Sequence, residues 1–332
     1  MQEKWMELMS SLQKIKSPVQ AEMKEFEGKF RSHISSKVSL VDQVMRYMVK
    51  RKGKQIRPIL VFLTAKMLGK VQESTFIGAS LIELMHTATL VHDDVVDDAD
   101  MRRGFFSINA LWKNKIAVLI GDYMLSRVLL LAVDTKEYDL LGEVSKAVKS
   151  MSEGELLQIE KARKLDITEE VYFEVIQQKT AVLIETCCVV GAQSVGASLE
   201  DQEQLRRFGK ELGLAFQIKD DLFDLEKVNF TGKPTGIDIK EQKMTLPLIN
   251  ALSNANAAKR KQIIRTIKKH NDRPKKVQEV VDFVNQSGGL EYARLKMEMH
   301  LENARELLSK FPSSAERSAL EELISYTGKR KK

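Results

Sequence analysis

Apolar residues recur at three- and four-residue intervals along nearly the whole chain, while strand-like alternation is rare. "IRPILVFLTAKML", "STFIGASLIELMHTATLVH", "LLGEVSKAVKSMSEGELLQIEKAR", "TEEVYFEVIQQKTAVLIETCCVVGA" and "DQEQLRRFGKELGLAFQIKDDLFDLE" all carry the helical period. The predicted fold is therefore all-α. The helix around Leu81 to Leu90 is apolar on most sides, which suits the inside of a large bundle better than its surface. Ser74 and Thr168 read as helix starts. Length alone, 332 residues, would allow two domains, but no Pro-rich or Ser/Gly-rich linker marks a boundary. The chain is read as one domain, 1–332, with 43% hydrophobic residues to build its core. No internal repeat is visible, which disfavours a solenoid. The longest stretch without helical period is "EKVNFTGKPTGIDIKEQKMTLP", Glu226 to Pro247, and long loops inside domains are usually functional or disordered.

Composition limits the function classes. A net charge of +7 suits anionic ligands in general. Much of the excess lies in "KRKQIIRTIKKH" and the terminal "GKRKK", read as solvated surface and tail. A nucleic-acid binder would need stacking or base-reading groups, yet aromatic residues make up only 6% of the chain, and its acidic clusters would repel phosphate. The two cysteines, Cys187 and Cys188, are adjacent, which excludes a disulfide framework and a C-x-x-C metal site and fits a reducing cytoplasm. The N-terminus lacks an apolar signal core. "IAVLIGDYMLSRVLLLAV" is interrupted by Asp122 and Arg127 and is read as a buried helix.

Against this background the carboxylates stand out. "DDVVD", Asp93 to Asp97, and "DDLFD", Asp220 to Asp224, share one form, and each follows an apolar helix. Asp93 and Asp97 are four residues apart, so a helix places them on one face about 6 Å apart along its axis. Unpaired, they repel, and toward a helix C-terminus the dipole favours cations instead. A divalent cation between them removes both penalties. Oxygen ligands without histidine or thiol select Mg²⁺ or Mn²⁺, and Mg²⁺ tends to complete its shell with substrate phosphate oxygens. A calcium EF-hand is excluded, because the loop glycine and the terminal glutamate are absent.

Basic residues supply the complement to a phosphate. "GKQIRP" puts Lys54 and Arg57 before a helix whose first turn can hold Pro58. Arg102 and Arg103 can grip phosphate in bidentate fashion. Lys233 and Lys243, in the long loop, could close over the same anion as a lid does. His86 precedes Asp93 by two helical turns and shares its face.

Together, "GKQIRP", "HDDVVDDADMRRG", "GDYMLSR", "QKTAVLI", "FQIKDDLFD" and "GKPTGIDIKEQKMTLPL" resemble the trans-isoprenyl diphosphate synthases in content and order, over roughly Gly53 to Leu248. The resemblance implies an all-α bundle around a deep cavity, two aspartate motifs facing each other at its mouth, and a homodimer. It implies Mg²⁺ as cofactor, three ions per site with Mn²⁺ as a substitute. Asp93, Asp97 and Asp220 would hold the metal, supported by Asp94, Asp221 and Asp224. Lys54, Arg57, His86 and Arg103 would bind isopentenyl diphosphate. Arg102, Lys179, Thr180, Gln217, Lys233 and Lys243 would bind an allylic diphosphate, Lys179 being counted with the aspartates as catalytic. No nucleic acid is implied, and a transient membrane contact would serve product release.

Product length follows from geometry. Ala88 and Thr89 lie five and four residues before Asp93 and, leaning toward the helix N-terminus, would project below the metals. Short-chain members place aromatic floors there. Small residues, with Met85 a turn deeper, leave the cavity open toward "MLSRVLLLAV" and imply a long-chain product suited to a quinone side chain. The alternatives are a short-chain farnesyl or geranylgeranyl diphosphate synthase, a cyclase or head-to-head enzyme on the same fold, and a non-catalytic helical partner subunit.

Overall fold

A computed structural model describes residues 10–50, 53–102, 104–162, 165, 167–225 and 236–330. After a helical stretch over 10–16 and a 3-10 turn, Ser17–Val19, the chain forms α1 (Gln20–Ile34), α2 (Ser39–Lys50), α3 (Ile56–Leu68) and α4 (Glu73–Val96). A two-residue hairpin, β1 (Met101–Arg102) and β2 (Phe105–Phe106), leads into α5 (Ile108–Asp134) and α6 (Tyr138–Ala162). Next come α7 (Glu169–Ile176), a π turn (Gln177–Ala181), α8 (Val182–Gln193) and α9 (Leu199–Leu225). The remainder is α10 (Ile237–Lys240), α11 (Leu246–Ser253), α12 (Ala257–His270), α13 (Pro274–Gln286), α14 (Gly289–Ser309) and α15 (Ala315–Lys329). The all-α expectation holds, and the hairpin is the sole sheet among the described residues.

The cap predicted at Thr168 is present, its side chain accepting from the Val171 N–H. The start predicted at Ser74 is displaced. Gln72 caps α4 through a reciprocal box with Thr75, because both side chains there reach the free N–H groups of the first turn. α4 is enclosed as expected: Leu81, Ile82, Leu84 and Met85 have no exposed surface, and each such side chain contributes about 1.5–3 kcal/mol of burial. Buried apolar side chains from Ile15 to Tyr326 form one continuous cluster.

Three glycines set how closely the central helices approach. A Cβ at Gly191 on α8 would sit 2.4 Å from the Val61 carbonyl of α3. At Gly209 and Gly213 on α9 it would sit 2.7 Å from Glu185 Cα and 2.5 Å from Ala181 Cα. The pair on α9 brings that helix against α8 and the π turn just before it reaches its aspartates.

The same crossing buries Glu185, whose Oε1 has no hydrogen-bond partner. Burial raises its pKa to about 7, with Lys210 and Arg206 opposing the rise. A carboxyl with a raised folded-state pKa favours folding below its unfolded pKa and loses that contribution as pH climbs through the folded value. Between about pH 4.5 and 7 the protein therefore loses stability, on the order of 3 kcal/mol from this residue. Chemical denaturation of Glu185→Gln across that window should show a flatter profile than the parent; an unchanged slope would exclude Glu185 as its source.

The segment "IAVLIGDYMLSRVLLLAV" departs from its reading as a buried helix. Among the described residues three helical stretches are long and apolar enough to cross a membrane, and those in α4 and in α7 to α8 are each 67% buried, whereas that of α5 is 39% buried. Leu119, Leu129, Leu130 and Val133 on α5 are about half exposed. Periodicity gives a helix with apolar sides but not which side the bundle covers.

Candidate active site

The two aspartate motifs occupy equivalent positions. The first ends α4, with Asp97 as its C-cap, its N–H bonded to the Asp93 carbonyl at 2.8 Å. The second lies in the last two turns of α9. In each, the leading aspartate faces outward while the next turns inward: Asp93 is exposed and Asp94 buried, Asp220 half-buried and Asp221 buried. The helix period imposes this, because adjacent side chains diverge by about 100°.

Asp220 accepts a hydrogen bond from Arg330 Nη2 at 2.8 Å. That guanidinium also donates to the Phe216 carbonyl at 2.9 Å and stacks 3.8 Å above the Phe216 ring. Burial lowers the Arg330 pKa, with Asp220 opposing the shift. The terminal basic run is therefore not wholly a solvated tail: Arg330 is packed against the second motif. One turn earlier on α15, Tyr326 lies under the Lys54 ammonium, 5.4 Å from ring centre to Nζ. α15 thus links the "GKQIRP" loop to Asp220, a long-range arrangement with no local sequence signal.

Asp221 and Asp224 are both buried and hydrogen-bonded. Asp221 accepts from Tyr172 Oη at 2.6 Å and from Gln217 Nε2 at 2.8 Å. Its pKa rises to about 7 chiefly through burial, aided by Asp238 and Asp220 and restrained by the two donors. Asp224 accepts from the Ile237 and Asp238 N–H groups, both at 3.0 Å, and so caps α10. It thereby fixes the backbone that carries Asp238. Sequence reasoning missed Asp238, Tyr172 and Arg330.

Lys179 and Thr180 sit in the π turn. Gly154 of α6 lets this happen, since a Cβ there would lie 3.0 Å from the Lys179 nitrogen. π turns carry one extra residue per turn and recur at functional sites. Lys179 pairs with Glu155, and Thr180 donates to Gln217 Oε1 at 2.8 Å. These residues share with Tyr172, Asp221, Asp238 and Lys243 a cleft of about 660 Å³ including its open mouth. Burial opposes the charge on Lys243, but Glu241, Asp238 and Asp97 outweigh it and raise its pKa. The field of Asp97 at Lys243 ties the first motif to this cleft.

Arg57 is held by Glu83 through contacts of 3.1 and 3.3 Å. Together with Asp94 it lines a second, more apolar cleft of about 1100 Å³ including its open mouth, between α1, α2, α4, the hairpin and α5. His86 is half-buried on the Asp93 face of α4, and Thr89 donates its hydroxyl to the His86 carbonyl. Ala88 and Met85 are fully buried and Thr89 is half-buried, and none of the three lines either of these two clefts. Arg103 and Lys233 lie outside the described residues, as does the side chain of Arg102. Cys187 and Cys188 are enclosed, and burial pushes the first thiol up to about 12 and the second well above its usual value, so both stay inert.

Among the described residues no three acids, histidines or thiols form a ready-made ion cage. The donor set still fits Mg²⁺. It is all carboxylate, and Asp220 and Asp97 each lie near a side-chain cation, Arg330 and Lys243, that supplies the charge a divalent ion would bring.

The polyprenyl synthetase family model matches residues 38–284, which span both motifs, the π turn and the cleft. The chain belongs to the polyprenyl synthetase family. Over 310 residues it is 37% identical to the all-trans-nonaprenyl-diphosphate synthase (geranyl-diphosphate specific) of Rhodobacter capsulatus, covering 93% of this chain and 94% of that protein. It is 35% identical to the octaprenyl diphosphate synthase of Escherichia coli, covering 93% and 96%. The crystal structure of a decaprenyl diphosphate synthase from Rhodobacter capsulatus superposes with a TM-score of 0.91 at 34% identity, covering 96% and 98%. This polyprenyl synthetase is thus a prenyltransferase whose relatives include long-chain enzymes, as its motifs implied.

Proposed function

We propose that the chain adds isopentenyl diphosphate repeatedly, head to tail and in the trans configuration, to an allylic diphosphate such as farnesyl diphosphate, yielding a long-chain polyprenyl diphosphate. The observation that carries this is the cleft in which the π turn, the second motif and Lys243 converge, with the field of Asp97 reaching Lys243. Asp93, Asp97 and Asp220 hold Mg²⁺, which when bound supplies the positive charge that stabilises a departing diphosphate. Lys179 and Lys243 take the allylic diphosphate, with Thr180 and Gln217 orienting it. Lys54, Arg57 and His86 take isopentenyl diphosphate, together with Arg103. The allylic C–O bond breaks, its electron pair leaving with pyrophosphate. The double bond of isopentenyl diphosphate then forms the new C–C bond, and the proton lost from the adduct goes to the pyrophosphate. The side chains work by electrostatic stabilisation, and none acts as a nucleophile.

Incubation with labelled isopentenyl diphosphate, farnesyl diphosphate and Mg²⁺, followed by sizing of the lipid, tests the reading. A ladder ending well beyond twenty carbons supports it, whereas no elongation, or a stop at fifteen or twenty carbons, overturns the long-chain assignment. Buried thiols suit work in a reducing cytoplasm, and release of so apolar a product calls for transient membrane contact.

The exposed stripe of α5 fits a second copy of the chain, related by a two-fold axis so that each copy covers the other's leucines. Light scattering should give a dimer for the parent and a monomer for Leu119→Glu/Leu130→Glu. A parent monomer, or a variant dimer, would count against this interface.

A further inference from the structure

Tyr172 is buried in the middle of α7, eight residues before Thr180. Its hydroxyl donates to Asp221 Oδ2 at 2.6 Å. The other oxygen of Asp221 accepts from Gln217 Nε2 at 2.8 Å, and Gln217 Oε1 accepts from Thr180 Oγ1 at 2.8 Å. The chain of contacts runs Thr180 to Gln217 to Asp221 to Tyr172 without a break. It also fastens the chain to α9 at two places, at Tyr172 before the π turn and at Thr180 within it, using two residues of α9 one turn apart.

This has two physical consequences. A π turn hydrogen-bonds less favourably than an α turn and needs support from its surroundings to persist. The two fastenings provide it, and so set where Lys179 and Thr180 stand in the cleft. The chain also has a direction. Tyr172 donates its hydroxyl proton to Asp221, and the Gln217 amide nitrogen, which can only donate, does the same. Gln217 therefore presents its amide oxygen to Thr180, whose hydroxyl proton is committed to it, and the free lone pairs of Thr180 are left for a donor in the cleft. Burial, and then the charge of Asp221, push the Tyr172 pKa well up, so the phenol keeps the proton it donates.

We propose that Tyr172 is a positioning residue for the diphosphate of the allylic substrate. Acting through Asp221 and Gln217, it holds the π turn so that Lys179 meets the phosphate oxygens and the lone pairs of Thr180 face the water shell of their metal. It does not touch substrate. The proposal rests on the prenyl-transfer reading above, and its test separates the two.

Tyr172→Phe keeps the ring and its edge-on contact with Phe173 and removes the hydroxyl alone. The control is Tyr292→Phe, which removes a hydroxyl that also bonds a carboxylate of α7, Glu169, but lies outside the chain of contacts. Titration calorimetry with inorganic pyrophosphate and Mg²⁺ should show affinity falling about tenfold in Tyr172→Phe and by less than twofold in the control. In the assay, the KM for farnesyl diphosphate should rise by a similar factor while that for isopentenyl diphosphate stays within twofold. A role in stability alone would lower the melting temperature and leave both quantities unchanged, which would overturn the proposal, as would equal losses in the two variants. If the parent makes no prenyl product, the functional reading falls, while the pyrophosphate titration still decides the role of Tyr172.

Discussion

Asp220→Asn and Asp93→Asn should each lower the rate of chain elongation by a factor on the order of 10²–10³, with little change in melting temperature. The amide is chosen over alanine because Asp220 accepts from Arg330, whose guanidinium is largely buried. An asparagine oxygen can still accept that bond, so the fold is spared while the negative charge is lost. Asp93 is exposed, and asparagine there keeps the size of the side chain while removing its charge. Steady-state rates over a range of Mg²⁺ concentrations would show whether excess metal restores part of the activity, as it should if the charge is there to bind the ion. Folded variants that elongate at the parent rate would remove the basis for reading either motif as a metal site.

Ala88→Phe should shorten the product to about three or four isoprene units, since one helical turn spans roughly the length of one unit. Ala88 has no exposed surface, so the added ring must find space or strain its neighbours. Overpacking a closed core costs about 1–3 kcal/mol. A shaft that opens when the chain grows would take the ring more cheaply, and the two cases separate in a pair of measurements. A shorter product with a melting temperature near that of the parent supports the floor. A full-length product removes it. Ala88→Leu, with a smaller addition, keeps the test usable if the phenylalanine variant fails to fold.

Much of the fold and part of the site are legible in the sequence, for specific reasons. The helical period identifies α4 and α9 because their apolar residues must meet a core on one or more faces. Asp93, Asp97 and Asp220 are visible because repeated like charges near a helix C-terminus make little sense without a cation. The Thr168 cap is visible because its partner N–H lies three residues away. What the sequence does not display depends on distant contacts. Nothing local marks Asp224 as the cap of α10, since its donors are 13 and 14 residues on. Arg330 meets Asp220 across 110 residues. The π turn has the composition of an ordinary helix, and its register is set from outside, by Gly154 and by α9. The exposed face of α5 was misread for the same reason: a helix apolar on several sides does not announce which of them its own chain leaves uncovered.

α5 also lies between that outer face and the first aspartates. The His92 imidazole occupies the space left by Gly121, where a Cβ would sit 2.1 Å from Nε2, and is 3.2 Å from the Val118 carbonyl. Val118 is 40% exposed among the outward residues of α5, and His92 immediately precedes Asp93. Val118 is thus one hydrogen bond and one peptide link away from Asp93. A contact made on the outside of α5 at Val118 would therefore bear on the turn of α4 that carries Asp93.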